Sequence, residues 1–133
     1  MKKQLWMTAM GLALVATAAS SGTVTPVAVT VQVNTNLSGA AIGAMGQARQ
    51  SANSQEYIGC GIQKSQTTTG SVTSYAFCQA RNAAGVSGIC STQDAALMDA
   101  IHGIADNSYL SFYWNTSGQC TRIIVSTHSY FIP

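Results

Sequence analysis

Residues able to do acid–base, nucleophilic or metal chemistry are few in this chain of 133 residues: His102 and His128, the carboxylates Glu56, Asp94, Asp99 and Asp106, and the cysteines Cys60, Cys78, Cys90 and Cys120. Each grouping can be set against a mechanism. Ser126 and His128 stand two apart in a strand-like stretch, on one face, as a nucleophile and its base would. The pleat holds such neighbours roughly 7 Å apart, beyond the roughly 3 Å that proton transfer spans, so the pair reads as exposed polar strand positions. Gly85-Val86-Ser87-Gly88 misses the G-x-S-x-G turn that presents a hydrolase serine. His102, His128 and Lys64 match by type the two-histidine, one-lysine set of small secreted ribonucleases, but the basic surface that holds RNA is lacking. Asp99, His102 and Asp106, at i, i+3 and i+7, would share one helix face with divalent-metal spacing. A face opposite an apolar stripe is polar in any case, and solvation explains it. Asp94 fits a helix cap better than a catalyst. No catalytic residue, metal ligand or cofactor is assigned. A small secreted hydrolase using His102 or His128 with a carboxylate is the alternative to a non-enzymatic role.

The four cysteines form an even set separated by 18, 12 and 30 residues. Zinc would want CxxC-type pairs, whereas four widely spaced cysteines in a small exported chain point to two disulfides. Closing a hairpin around Thr69 places Cys60 opposite Cys78, so the expected pairing is Cys60–Cys78 with Cys90–Cys120. Gly59-Cys60-Gly61 puts glycines on both sides of a strand cysteine, which suggests a bulge or a close backbone approach.

Export is read from the start of the chain. Met1-Lys2-Lys3 is a short basic region, Leu5 to Ala16 is apolar but for Thr8 and Gly11, and Ala16-Thr17-Ala18 is a small-x-small cleavage pattern. Cleavage after Ala18 leaves a single domain over 19–133, exported to the periplasm or beyond, with no segment of the roughly 20 apolar residues a membrane span needs. The formal charge of +2 then falls to zero, because Lys2 and Lys3 leave with the signal. Lys64, Arg49, Arg81 and Arg122 balance the four carboxylates, which argues against nucleic acid as a partner. Ser, Thr, Asn and Gln make up 42 of the 115 residues after Ala18, an uncharged surface rich in hydroxyls and amides.

The elements that position these groups follow from periodicity and turn composition. Thr23 to Val33 alternates as a half-buried strand. Ala40 to Asn53 is a weak helix, because Gly43 and Gly46 each cost about 1 kcal/mol against Ala. Glu56 to Gln63 and Val72 to Ala80 form a hairpin around Thr67-Thr68-Thr69-Gly70. After the Asn82-Ala83-Ala84-Gly85 turn, a short strand runs to Cys90. Ser91 or Thr92 caps a helix over about 92–105, with Leu97, Ile101 and Ile104 as its core-facing stripe. Asn107 to Trp114 and Gln119 to Tyr130 form a second hairpin around Asn115-Thr116-Ser117-Gly118. The expected fold is α+β: one antiparallel sheet of two hairpins plus an N-terminal strand, with helices on one face.

Tyr109, Tyr113, Trp114, Tyr130 and Phe131 concentrate the aromatics near the C-terminus. Alternation sends Leu110, Phe112 and Trp114 to the core and Tyr109 and Tyr113 outward, so Tyr109, Tyr113 and Tyr130 are the candidate binding surface. The partner expected there is an unidentified protein or glycan.

Tyr57-Ile58-Gly59-Cys60, Cys78-Gln79-Ala80-Arg81-Asn82-Ala83-Ala84-Gly85, Ser108-Tyr109-Leu110-Ser111-Phe112-Tyr113-Trp114 and Gly118-Gln119-Cys120-Thr121 resemble segments of small exported proteins of Gram-negative bacteria with four cysteines. The resemblance spans most of the chain after Ala18. It implies an exported address and a disulfide pattern, and it carries no activity and no functional residues.

Overall fold

The structure, a computed structural model, describes residues 22–131; the signal segment expected over 1–18 lies outside them. The elements in chain order are β1 (Thr30–Val33), β2 (Gly39–Ala44), α1 (Met45–Gln50), β3 (Tyr57–Gln66), β4 (Val72–Arg81), β5 (Ser87–Thr92), α2 (Ala95–His102), β6 (Tyr109–Trp114) and β7 (Cys120–Ser126), followed by a 3-10 turn at Ser129–Phe131. Helix and strand are both present, as expected of an α+β chain, but strands dominate and they form two sheets. A four-stranded antiparallel sheet runs β1-β2-β6-β7, and a three-stranded one runs β3-β4-β5. Both expected hairpins form, one in each sheet. The chain starts in the four-stranded sheet, crosses through α1 to lay down β3, β4 and β5, and returns through α2.

The segment expected as a weak helix over 40–53 is mostly strand. Gly39–Ala44 is β2, pairing with β1 on one side and β6 on the other, and only Met45–Gln50 is helical. Local helix propensity yields to two ladders of hydrogen bonds. The glycines are there for closeness: a Cβ on Gly43 would sit 3.0 Å from Val29 Cγ2, and one on Gly39 would overlap the Trp114 indole. The strand expected over 23–33 is laddered only from Thr30. Upstream of it isolated bonds replace the ladder: Ala44 N donates to the Val27 carbonyl at 3.0 Å, and Gln47 Oε1 accepts from Val27 N at 2.6 Å and Glu56 Oε1 from Val29 N at 3.2 Å.

The second helix spans Ala95–His102, shorter than the expected 92–105, because Ser91 and Thr92 finish β5 and Gly103 ends the helix. Asp94 itself is the N-cap, its carboxylate accepting from Leu97 N at 3.0 Å. The apolar stripe holds, with Ile101 buried and Leu97 and Ile104 packed against the core. β3 and β4 pair without a register shift, so Gly59-Cys60-Gly61 is not a bulge; the irregularity lies at Tyr113/Trp114.

The core fills the space between the sheets. Ala41, Leu110, Phe112, Trp114 and Ile123 face Ile58, Ala76, Cys78, Ala80 and Cys90, and Ile101 of α2 joins them. Leu110, Phe112 and Trp114 are buried as the alternation of β6 predicts. Both disulfides have the expected partners. Cys60–Cys78 bridges neighbouring strands of the three-stranded sheet, and Cys90–Cys120 ties β5 of that sheet to β7 of the other. Trp114 lies beside Gly39 and Gly88, and its indole N–H donates to the Leu37 carbonyl at 2.9 Å.

Candidate binding surface

The groups with chemical potential are scattered. His102 ends α2 and lies 3.9 Å from Asp99, both side chains well exposed. The helix stops before Asp106, so the three residues expected to share its face do not converge. His128 follows β7, and Lys64 stands exposed near the far end of β3. Ser126 is the last residue of β7, so the pleat spacing does not apply to it and His128. The chain turns toward the 3-10 segment, and Ser126 Oγ shares a hydrogen bond with His128 Nδ1. That imidazole stacks on Tyr130, with centroids 5.0 Å apart. Among the described residues, His102–Asp99 is the only histidine–carboxylate pair within 4.0 Å. The sulfurs of Cys78, Cys90 and Cys120 lie within 4.8 Å of one another, but each is in a disulfide and none offers the thiolate a metal requires.

The role of Glu56 is structural. Hydrogen bonds donated by Ser51, above all, and by Asn53 and the Val29 backbone hold its carboxyl below the usual carboxylate range, with burial opposing them. The group fastens the segment before β1 to the start of β3.

Of the tyrosines singled out in the sequence, Tyr109 is half-buried and stacks on the buried Phe131 with centroids 5.0 Å apart. Tyr113 is half-buried with the Arg122 guanidinium 5.5 Å over its ring, and Tyr130 is 37% exposed. Between Tyr109 and Tyr113, Ser111 is 1% exposed. Its register partners Ile42 and Ile124 flank it, so the middle of this face is closed by its own side chains. Beside Tyr113 there is a shallow concavity of about 340 Å³ lined by Gln32, Asn34, Ser38 and Thr121.

The outer face of the three-stranded sheet is different. With Cys60, Cys78 and Cys90 in one inward row, alternation turns the odd-numbered residues of β3, β4 and β5 outward. They stand in rows: Tyr57, Arg81 and Ser87; Gly59, Gln79 and Ile89; Gly61, Phe77 and Ser91; then Gln63 and Tyr75. Tyr75 is 38% and Ile89 61% exposed. The far edge of the Phe77 ring rests over Gly61, where a Cβ would come within 2.9 Å of Cζ. Only a residue without a side chain lets the ring lie along the sheet. At Gly59 a Cβ would meet nothing within 4 Å. Tyr75 donates its phenol to Gln63 Oε1 at 2.6 Å, which fixes that amide. Gln63, Tyr75, Phe77, Gln79 and Ile89 line a shallow, open concavity of about 470 Å³.

These residues were legible in the sequence only as hairpin strands. The available signal was the combination of odd-numbered Gly59 and Gly61 with Tyr75, Phe77 and Gln79 across a hairpin whose register the cysteines pin. No helix among the described residues is long and apolar enough to cross a membrane. In comparisons with known proteins, no family model, no curated protein and no solved structure matches this chain.

Proposed function

We propose that the chain is an exported, non-enzymatic binding domain working in the periplasm or beyond, which takes its ligand on the outer face of the three-stranded sheet. The observation that carries this reading is the concavity over Gln63, Tyr75, Phe77 and Gln79, where aromatic rings and amides sit on a disulfide-pinned sheet. Two disulfides accord with an oxidising compartment. Ligand held on a rigid sheet avoids the ordering entropy a loop would pay.

A second reading keeps the surface on the C-terminal tyrosines, favoured by the concavity between Tyr113, Gln32 and Asn34. The two separate in one experiment: capture of material from fractionated cell envelope by the purified protein. A Tyr75→Ala, Gln79→Ala double variant should lose capture with its melting temperature nearly unchanged, while Tyr113→Ala keeps it. The reverse pattern moves the site to the C-terminal hairpin, and capture surviving both variants removes both surfaces.

A further inference from the structure

We infer that the ligand of the three-stranded face is a neutral saccharide, its ring stacked on Phe77 and Tyr75 and its hydroxyls bonded to the amides of Gln63 and Gln79. This rests on the surface proposed above and adds the class of ligand. The first support is charge. Among Gly59, Gly61, Gln63, Tyr75, Phe77, Gln79, Ile89 and Ser91 there is no ionisable acid or base other than the phenol, and the one charge on this face, Arg81, stands in the end row beside Tyr57. An ionic ligand brought onto these rows would lose water without gaining a counter-charge, which is unfavourable. A wholly apolar ligand would bury the glutamine amides unpaired, which is also unfavourable. A neutral sugar presents apolar C–H faces and hydroxyl edges together, and so satisfies rings and amides at once.

The second support is shape. The Tyr75 and Phe77 centroids are 6.4 Å apart and tilted by 44°, so the rings form an angled pair and not a flat wall. Gly61 lets the Phe77 ring lie along the sheet, and Ile89 and Ser91 of β5 flank the Gln79 side of the concavity. The Tyr75–Gln63 hydrogen bond occupies the amide oxygen of Gln63 and leaves its N–H groups to donate to a hydroxyl. The third support is rigidity, since Cys60–Cys78 lies directly behind the middle rows, on the core side of the same strands.

The test is binding of the purified protein to immobilised oligosaccharides: neutral glucans, mannans, galactans and N-acetylhexosamine oligomers, with uronic-acid and sulfated glycans beside them. At least one neutral glycan should bind, with affinity unchanged between low and high salt because no ion pair is made. Tyr75→Ala and Phe77→Ala should each weaken it about fivefold or more. Ser91→Leu is the sharpest variant: Ser91 is exposed and lines the concavity, so the melting temperature should hold, while the larger side chain fills the concavity and abolishes binding. Binding confined to anionic glycans and lost in salt, or no glycan binding at all, overturns the saccharide. If envelope capture is nonetheless lost in Ser91→Leu, the face binds another class of molecule, such as a peptide, and only the saccharide falls. If neither assay responds to Ser91→Leu, the surface falls with it.

Discussion

The two outward faces of this molecule are built from similar residues and end in different states. On the four-stranded sheet, Tyr109 lies against Phe131, Tyr113 lies under Arg122, and Ser111 is sealed between Ile42 and Ile124. On the three-stranded sheet, Tyr75 and Phe77 have glycines and glutamines for neighbours; Tyr75 is exposed and Phe77 half-buried over Gly61. The lesson is that an aromatic's availability is decided by its cross-strand partners and by where the chain ends go, more than by its own alternation. Isoleucine beside a small residue closes a sheet face, whereas glycine and glutamine leave it open. The backbone also contributes, because the chain returns after β7 to place Phe131 on Tyr109 and to give its Tyr130 carbonyl to Thr25 N at 2.8 Å.

The largest expected effect concerns what holds the two faces back to back. Cys90–Cys120 is the covalent link between the sheets, and its loop of 30 residues puts its contribution at about 3–4 kcal/mol. Replacing both cysteines by Ala should lower stability in urea unfolding by that amount. Removing Cys60–Cys78 should cost about 3 kcal/mol, slightly less because its loop is 18 residues. Equal losses, or a larger one for Cys60–Cys78, would mean that the link between sheets has no special standing.

Next comes the contrast between tyrosines. Tyr109→Ala should cost about 2 kcal/mol, a reduced form of the buried-aromatic loss because the ring is half-buried. Tyr75→Ala should stay within about 0.5 kcal/mol, the usual range for a surface substitution. Melting curves of the two variants decide the matter, and if Tyr75→Ala proves as costly as Tyr109→Ala, the distinction between a closed and an open face is gone.

Ser111 gives a third, smaller effect of opposite sign. Its Oγ is buried with no hydrogen-bond partner, so Ser111→Ala removes an unpaired hydroxyl without emptying much space. A gain of about 1 kcal/mol is expected. A loss would show that water reaches the hydroxyl and that this face is less closed than its neighbours suggest.

How much of this was readable beforehand follows the same division. Strand alternation gave the inward set on β6, and turn composition gave both hairpins, because each depends on residues within a few positions. The disulfide partners followed from one register. What sequence did not give was β2: Ala, Met and Gln over 40–50 favour helix locally, and it is pairing with β1 and the distant β6 that turns Gly39–Ala44 into strand. The turn at Asn34–Leu37 has a backbone that its residue types do not announce. It has the hydrogen bonds of the Asn115–Gly118 turn, yet Leu37 sits at φ 70 where Gly118 sits at φ 74, and nothing in Leu announces a left-handed backbone. The open face was missed because it depends on glycines whose importance lies in what they let a neighbouring ring do.

The smallest effect tests a further tie, a carboxylate. Glu56 precedes β3 and accepts from the backbone of Val29, just ahead of β1, so it is a second, non-covalent fastening. Ser51 and Asn53 also donate to the carboxylate, and the folded state therefore holds its pKa below the unfolded value. A carboxyl with a depressed folded pKa binds fewer protons folded than unfolded. Its stabilisation is complete above the ordinary carboxylate range and is lost as pH falls through the folded value. The group is half-exposed, so solvent screens the effect and it should be the weakest of those described. Unfolding measured in urea across the acid range should show stability declining with falling pH in the wild type. In Glu56→Gln the amide does not titrate, so that part of the slope should vanish while the slope from the remaining carboxylates stays. The Cys90–Cys120 link does not titrate at all, so a variant that lacks it, Cys90→Ala with Cys120→Ala, should retain the Glu56 slope unchanged. If removing the disulfide also removes the slope, Glu56 is held by the closed sandwich and does not fasten it.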